Sequence, residues 1–187
     1  MIPASAAKEK ALIESLRRGK SSAKRSLYEQ FNRYLGAVCA RYVGDDEDVK
    51  DLLQEVFIKI YSRFDTFEYR GEGSLQAWCR RIAVNESLQF LRAGKKMRKI
   101  PLEEYGELPE PDETPDVEDI PRKELFSMIQ RLPERYRTVF NLYIFEEMSH
   151  AEIAALLNIG ESTSASNLHR AKALLTKWIK EYRSHEG

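Results

Sequence analysis

Apolar residues recur every three to four positions along most of the chain, which is the period of amphipathic helices. Leu12, Ile13 and Leu16 predict a short helix over Ala6–Arg18, stopped at Gly19. Leu27, Phe31, Leu35, Val38 and Tyr42 predict a longer one over Ser21–Val43, ended by Gly44. Asp45 or Asp46 then caps a third helix to about Phe64, with Val49, Leu52, Leu53, Val56, Ile60 and Phe64 inward. The period fails over Asp65–Gly73, which reads as a loop. Ser74 is the expected cap of a fourth helix, with Leu75, Trp78 and Ile82 inward, reaching into the basic run 95–99. Periodicity resumes with Leu125, Ile129 and Leu132. Pro133 then opens a helix at its first turn, where proline is tolerated, with Val139, Leu142, Tyr143 and Phe145 as its core face.

The final stretch carries the densest local signals. Ser149 and Glu152 have the spacing of a capping box, and Ile153, Leu156 and Leu157 give a short apolar face. The chain turns at Asn158–Ile159–Gly160, since Asn tolerates left-handed backbone and Gly takes it freely. A second stripe follows at Leu168, Ala171, Leu175, Trp178 and Tyr182, while Ala154 is small enough for a close helix crossing. Two helices around a tight turn are either an ordinary helical hairpin or a helix-turn-helix. In the second case Ser162, Thr163, Ser164, Ser166, Asn167, His169, Arg170 and Lys172 face a DNA groove.

Charge changes this picture by dividing the chain. The formal net charge is zero, yet residues 1–100 hold 20 Lys+Arg against 13 Asp+Glu. Residues 101–120 hold nine acids, no base and four prolines, and residues 121–187 hold 10 bases against eight acids. The acidic, proline-rich segment cannot bury enough apolar surface to offset its ordering entropy. It reads as a linker between an N-terminal domain, 1–100, and a C-terminal domain, 121–187. The expected fold class is therefore all-α, with two small helical domains on an acidic tether. No apolar run approaches the roughly 20 residues that span a bilayer, and no secretory signal is expected, so the expected location is cytoplasmic. Cys39 and Cys79 lie far apart in helical patterns and read as buried reduced thiols.

Two surfaces stand out chemically. On the third helix Asp48, Asp51 and Glu55 fall at i, i+3 and i+7, so three acids share one face, and such like-charge spacing is unfavourable in an isolated helix. That face is either simply solvated or a docking surface for a basic partner. On the fourth helix Arg80, Arg81, Asn85, Gln89 and Arg92 lie outward, after a loop that interleaves Phe64, Phe67 and Tyr69 with Arg70. Rings beside cations and amides can stack on and hydrogen-bond to unpaired bases; the alternative is that Phe64 and Phe67 are core. An enzyme is a poor fit. His150, His169 and His185 are scattered, the acids near Asp51 and Glu55 have no companion at ligand spacing, and one helix face is a poor metal cage. No catalytic residue, metal or cofactor is expected.

Three strings in order, DVKDLLQEVFIKIYSRFDTF, RGEGSLQAWCRRIAVNESLQFLR and LPERYRTVFNLYIFEEMSHAEIAALLNI, resemble a bacterial sigma factor of the extracytoplasmic-function group. The likeness covers about residues 21–98 and 121–183. It implies that the third helix docks on the clamp of the largest subunit of core RNA polymerase through Asp48, Asp51, Leu52, Gln54, Glu55 and Phe57. It implies minus-ten reading by Arg70, Gly71, Glu72, Gly73 and Ser74 of the loop with Arg81, Asn85 and Gln89. It implies minus-thirty-five contacts by Thr163, Ser166, Asn167, Arg170 and Lys172, with the second domain gripping the flap of the second-largest subunit. The linker would thread the active-site cleft, and an anti-sigma protein would hold the factor inactive. The recognition helix departs from the family pattern: Ser164 stands where a buried Val is usual, and Ala165 and Asn167 replace cations. These changes imply a weaker, less salt-sensitive grip on DNA by this domain alone. The runner-up is a helix-turn-helix regulator that acts without polymerase, which would need neither the acidic stripe nor a strand-reading loop.

Overall fold

The computed structural model describes residues 6–93 and 117–186. Every regular element among them is helical. The chain divides into two compact units, residues 1–95 and 96–187. Most of the acidic linker and all of the basic run 95–99 lie outside the described residues.

In the first unit α1 spans Ala6–Arg17, α2 Ser21–Tyr42, α3 Asp46–Ser62 and α4 Ser74–Ala93. Gly19, at φ +70°, takes the left-handed turn that separates α1 from α2. Helices α2, α3 and α4 pack on one another, and α1 lies against α2. Their core holds Leu27, Leu35, Val38, Tyr42, Val56, Ile60 and Leu75, each essentially removed from water. Asp45, not Asp46, is the cap of α3: its Oδ1 accepts from the amides of Glu47 and Asp48 at 2.9 and 3.1 Å. Helix α3 ends two residues before the sequence period suggests. Phe64–Thr66 form a separate 3-10 turn, because Phe64 must leave the helix line to join Phe67 and Trp78.

The expected cap of α4 is incorrect. Ser74 is the first helical residue, and its hydroxyl accepts from the amide of Arg70 at 3.3 Å. The N-terminus of α4 is instead held by Glu9 of α1, whose buried carboxylate accepts from Gly73 N at 2.7 Å and Leu75 N at 2.8 Å. No local pattern announces a cap that comes from 64 residues away.

The two thiols are buried between these helices, at Cys39 of α2 and Cys79 of α4. Burial pushes Cys39 up to about 11 and Cys79 up to about 12, from an ordinary 9.0. The folded chain therefore keeps protons that the unfolded chain releases. Stability from these groups is complete below about pH 9 and is lost as pH rises through 11 to 12. Iodoacetamide at pH 8 is expected to leave both thiols unmodified until urea is added. Rapid alkylation of the native chain, read by mass spectrometry, would contradict this burial.

In the second unit α5 spans Arg122–Arg131, α6 Glu134–Ile144, α7 His150–Leu157 and α8 Glu161–Glu186. Helix α8 is the axis: α5, α6 and α7 all pack on it. One cluster joins Ile120, Met128, Leu132, Tyr136, Ala171, Leu174, Trp178 and Ile179, and the Arg131 guanidinium lies 4.6 Å from the centre of the Trp178 ring. Pro121 and Pro133 stand just before α5 and α6, where the missing amide costs nothing. Residues 117–120, assigned to the linker by their composition, pack as part of this unit: Ile120 is buried and Val117 lies against the same cluster. Asp119 accepts two hydrogen bonds from Arg183, at 2.9 and 2.7 Å, and this pairing holds its carboxyl below the usual range.

Candidate functional site

Three surfaces bear the predicted chemistry, and in each the packing sorts contact residues from supporting ones. On α3 the acids Asp48, Asp51 and Glu55 and the amide Gln54 are all exposed. Leu52 and Phe57, predicted to touch the same partner, are each only 4% exposed. Leu52 is thus inward, as the helical period has it, and neither side chain lies on the exposed face. Leu52 fills the core, and the Phe57 ring packs 4.8 Å from that of Tyr28 and 6.0 Å from that of Tyr61. The two residues hold the acidic face from behind. Sequence reasoning missed Ile58, which is 57% exposed and lies on the acidic stripe, three positions after Glu55. The available signal was an apolar side chain falling on the acidic period rather than on the core one. An exposed branched aliphatic one turn from Glu55 adds apolar area to the acidic face, which suits a surface that meets a basic partner.

The second surface is the loop 67–73 with the outward row of α4. Arg81, Asn85 and Gln89 repeat at i, i+4 and i+8 and are all exposed, with Arg92 on the same side. The half-buried Trp78 closes the loop end of the row. Phe64 and Phe67 are 5% and 3% exposed and pack on Trp78, so neither is available to stack on a base. Tyr69 is the aromatic of the loop that reaches the surface, half-buried, with the Lys10 ammonium 5.2 Å from its ring centre. Arg70 is exposed and paired with Glu68 at 3.1 Å. Gly71 and Gly73, at φ +121° and +83°, take backbone conformations that other residues adopt only with strain, which lets the loop turn into α4.

The third surface is the start of α8. The Ser149–Glu152 capping box forms as expected, and its two hydrogen bonds hold the Glu152 carboxyl below its ordinary range. Asn158 takes the left-handed turn at φ +55°; Gly160, also expected to be free to do so, is not in the positive-φ region. Ser162, Thr163, Ala165, Ser166 and His169 form an exposed face, continued by the half-buried Arg170 and Lys172. The face ends there, since Ala173 and Thr176 are each 1% exposed. Asn167, predicted to reach DNA, is turned inward at 9% exposure, and Ser164 is fully buried. These two leave the set of groove-facing residues. Tyr143, predicted to be core, is instead exposed and stacks on the His150 ring at 4.8 Å.

The Ser164 hydroxyl has found a partner that sequence reading did not supply. Its Oγ lies 3.0 Å from Nδ1 of His150, joining the first turn of α7 to that of α8. A polar pair therefore occupies the crossing where the family pattern has an apolar residue. Ser164→Val is expected to lower the stability of this unit by about 1–2 kcal/mol, through overpacking of a full site and loss of the hydrogen bond. Thermal unfolding followed by circular dichroism reads this directly; an unchanged or raised Tm would show that the pair is dispensable.

Among the described residues no three His, Cys, Asp or Glu side chains are gathered to hold a metal ion. No helix among them is long and apolar enough to cross a membrane.

The chain thus has two helical units, the first with an exposed acidic face on α3 and an exposed row of Arg81, Asn85 and Gln89 on α4, the second with two helices joined by a tight turn. The family models agree: Sigma-70 region 2 matches residues 27–97 and Sigma-70 region 4 matches residues 122–175. The ECF RNA polymerase sigma-E factor of Haemophilus influenzae is 30% identical over 186 residues, covering 91% of this chain and 95% of its own. The RNA polymerase sigma-E factor of Streptomyces coelicolor is 35% identical over 135 residues, covering 72% of this chain and 73% of its own. The SigW factor of Bacillus subtilis is 27% identical over 184 residues, covering 92% and 97%. In fold the chain is similar to the Bartonella quintana sigma factor RpoE, solved with the anti-sigma factor NepR, at a TM-score of 0.50 and 19% identity over 83% of this chain and 96% of that one. The chain belongs to the extracytoplasmic-function group of RNA polymerase sigma factors, which give transcription initiation its promoter specificity.

Proposed function

We propose that this sigma factor acts in the cytoplasm, without catalysis of its own, by dividing its work among three surfaces. Asp48, Asp51, Gln54, Glu55 and Ile58 of α3 dock on a basic helical element of the polymerase clamp. The loop Arg70–Ser74 with Arg81, Asn85 and Gln89 holds the unpaired strand of the minus-ten element. Thr163, Ser166, Arg170 and Lys172 touch the major groove of the minus-thirty-five element, while the remainder of the second unit grips the flap. The acidic linker runs in the cationic active-site cleft, and an anti-sigma protein covers one or more of these faces when the factor is held inactive.

The observation that carries this reading is the α3 face. Three acids at repelling spacing are tolerated there because the side chains behind them, Leu52 and Phe57, fix the helix by burial. The repulsion disappears when a cationic partner arrives, so the face is more stable docked than free. In the first three turns of α8 the two cations, Arg170 and Lys172, are half-buried, which supports a weak and polymerase-dependent grip on DNA.

Run-off transcription on a genomic fragment library, with purified core polymerase and with or without this protein, tests the whole reading. New discrete start sites that appear only with the protein are the expected result. A specific footprint by the protein alone, with no new starts, would replace it with the polymerase-independent regulator.

A further inference from the structure

Helix α1 lies outside the residues matched to Sigma-70 region 2, which begin at 27, yet three of its side chains reach the loop that precedes α4. The Glu9 side chain is only 5% exposed. Its two oxygens divide their work: Oε2 takes the amide of Gly73 and Oε1 the amide of Leu75, at 2.7 and 2.8 Å. Both amides stand at the start of α4, where helical donors have no partner of their own. One residue later on α1, the Lys10 ammonium lies over the ring of Tyr69. Two turns further on, Arg17 Nη2 donates to the carbonyl of Phe67 at 3.3 Å. Three side chains of one helix therefore bracket the loop at Phe67, Tyr69 and Gly73–Leu75.

Burying a carboxylate is a costly way to hold two helices together, and an apolar contact would serve stability more cheaply. A carboxylate on two amides supplies something an apolar contact lacks, which is direction. It defines where the backbone of Gly73 sits, in a loop whose Gly71 and Gly73 are otherwise the least restricted residues. The charge is also used up on a positive helix end, so it is not presented to phosphate. Arg70 and Glu72 hang between the tie points, exposed.

We propose that Glu9 is a positioning residue for promoter opening. Through Gly73 and Leu75 it holds the loop and the first turn of α4 in the one shape that discriminates the minus-ten bases, with Lys10 and Arg17 as lesser ties. Discrimination between bases depends on donors held to within a fraction of an ångström, so a loosened loop loses selectivity before it loses affinity. This inference rests on the strand-reading role given above to Arg70–Ser74 and Asn85.

The test uses the full chain with core polymerase. Open-complex formation is measured by permanganate reactivity on a matched promoter and on the same promoter with its minus-ten element substituted. Glu9→Gln keeps one oxygen acceptor and faces an amide N–H with an NH2 group, so one of the two bonds is lost. The matched-to-substituted ratio is expected to fall about tenfold, the equivalent of one charge-assisted hydrogen bond, while co-elution with core polymerase is unchanged. A residue that only stabilised the fold would lower both promoters alike by reducing the active fraction. An unchanged ratio therefore overturns the inference. Should Glu9→Gln fail to fold, Lys10→Ala with Arg17→Ala removes the two lesser ties from exposed positions; a smaller fall in the same ratio supports the inference, and no fall overturns it. Failure of the unaltered protein to open any promoter would remove the strand-reading role itself, a distinct outcome.

Discussion

Asp51→Arg combined with Glu55→Arg is expected to abolish co-elution with core RNA polymerase while leaving the helical circular-dichroism spectrum and the Tm of the protein unchanged. Both side chains are exposed, so neither contributes packing that the substitution would remove. The pair moves the face by four charge units, which turns attraction to a cationic helix into repulsion. Juxtaposed like charges at an interface cost several kcal/mol, enough to lower affinity by more than about a hundredfold. The fold should tolerate the change, because the repulsion between Asp51 and Glu55 is exchanged for one between two arginines at the same i, i+4 spacing on an exposed face. Ile58→Ala offers a milder companion: it removes exposed apolar area without touching charge, and should weaken docking without abolishing it. Undiminished co-elution of the double arginine variant would remove α3 as the docking element.

Asn85→Ala is expected to leave polymerase docking intact and to reduce opening of the minus-ten region by about tenfold or more. Asn85 sits at the centre of the exposed row Arg81, Asn85 and Gln89, with Arg92 beyond it. Its neighbours on the buried side are Ala83 and Val84, so the amide itself has no core role. A flipped base offers donors and acceptors together, and an amide answers both, which a cation cannot. Losing it leaves a polar base edge in the pocket without a partner, and that cost falls on the opened state alone. Permanganate reactivity of the melted strand measures the loss. Normal reactivity, with normal start-site choice, would move strand reading off this row.

The strongest local signals in the sequence were also the most faithful. The Ser149–Glu152 capping box, the turn after Leu157, the helical period of α2 and the exposed acids of α3 stand in the structure as their spacing suggested. What failed was any assignment that depended on which side of a helix a neighbour covers. Phe57 belongs to a stretch that looks ready for a partner, yet it is buried, with the Tyr28 and Tyr61 rings beside it. Tyr143 went the other way, out of the predicted core and onto the His150 ring. Asn167 lies about 140° around α8 from Ser162, and the sequence does not say which of the two directions is solvent.

The all-helical class, the positions of most helix ends, the acidic segment between a basic block and a near-neutral one and, through three ordered motifs, the family were all legible in the sequence. These follow from periodicity, caps and charge, which are local properties of a chain. Tertiary structure alone decided that a glutamate in α1 caps α4, that Ser164 meets His150, and that residues 117–120 close onto α8 through Ile120 and the Asp119–Arg183 pair. Each of these joins groups 14 to 66 positions apart, and a hydrogen bond across such a gap forms only when packing has already brought its ends together.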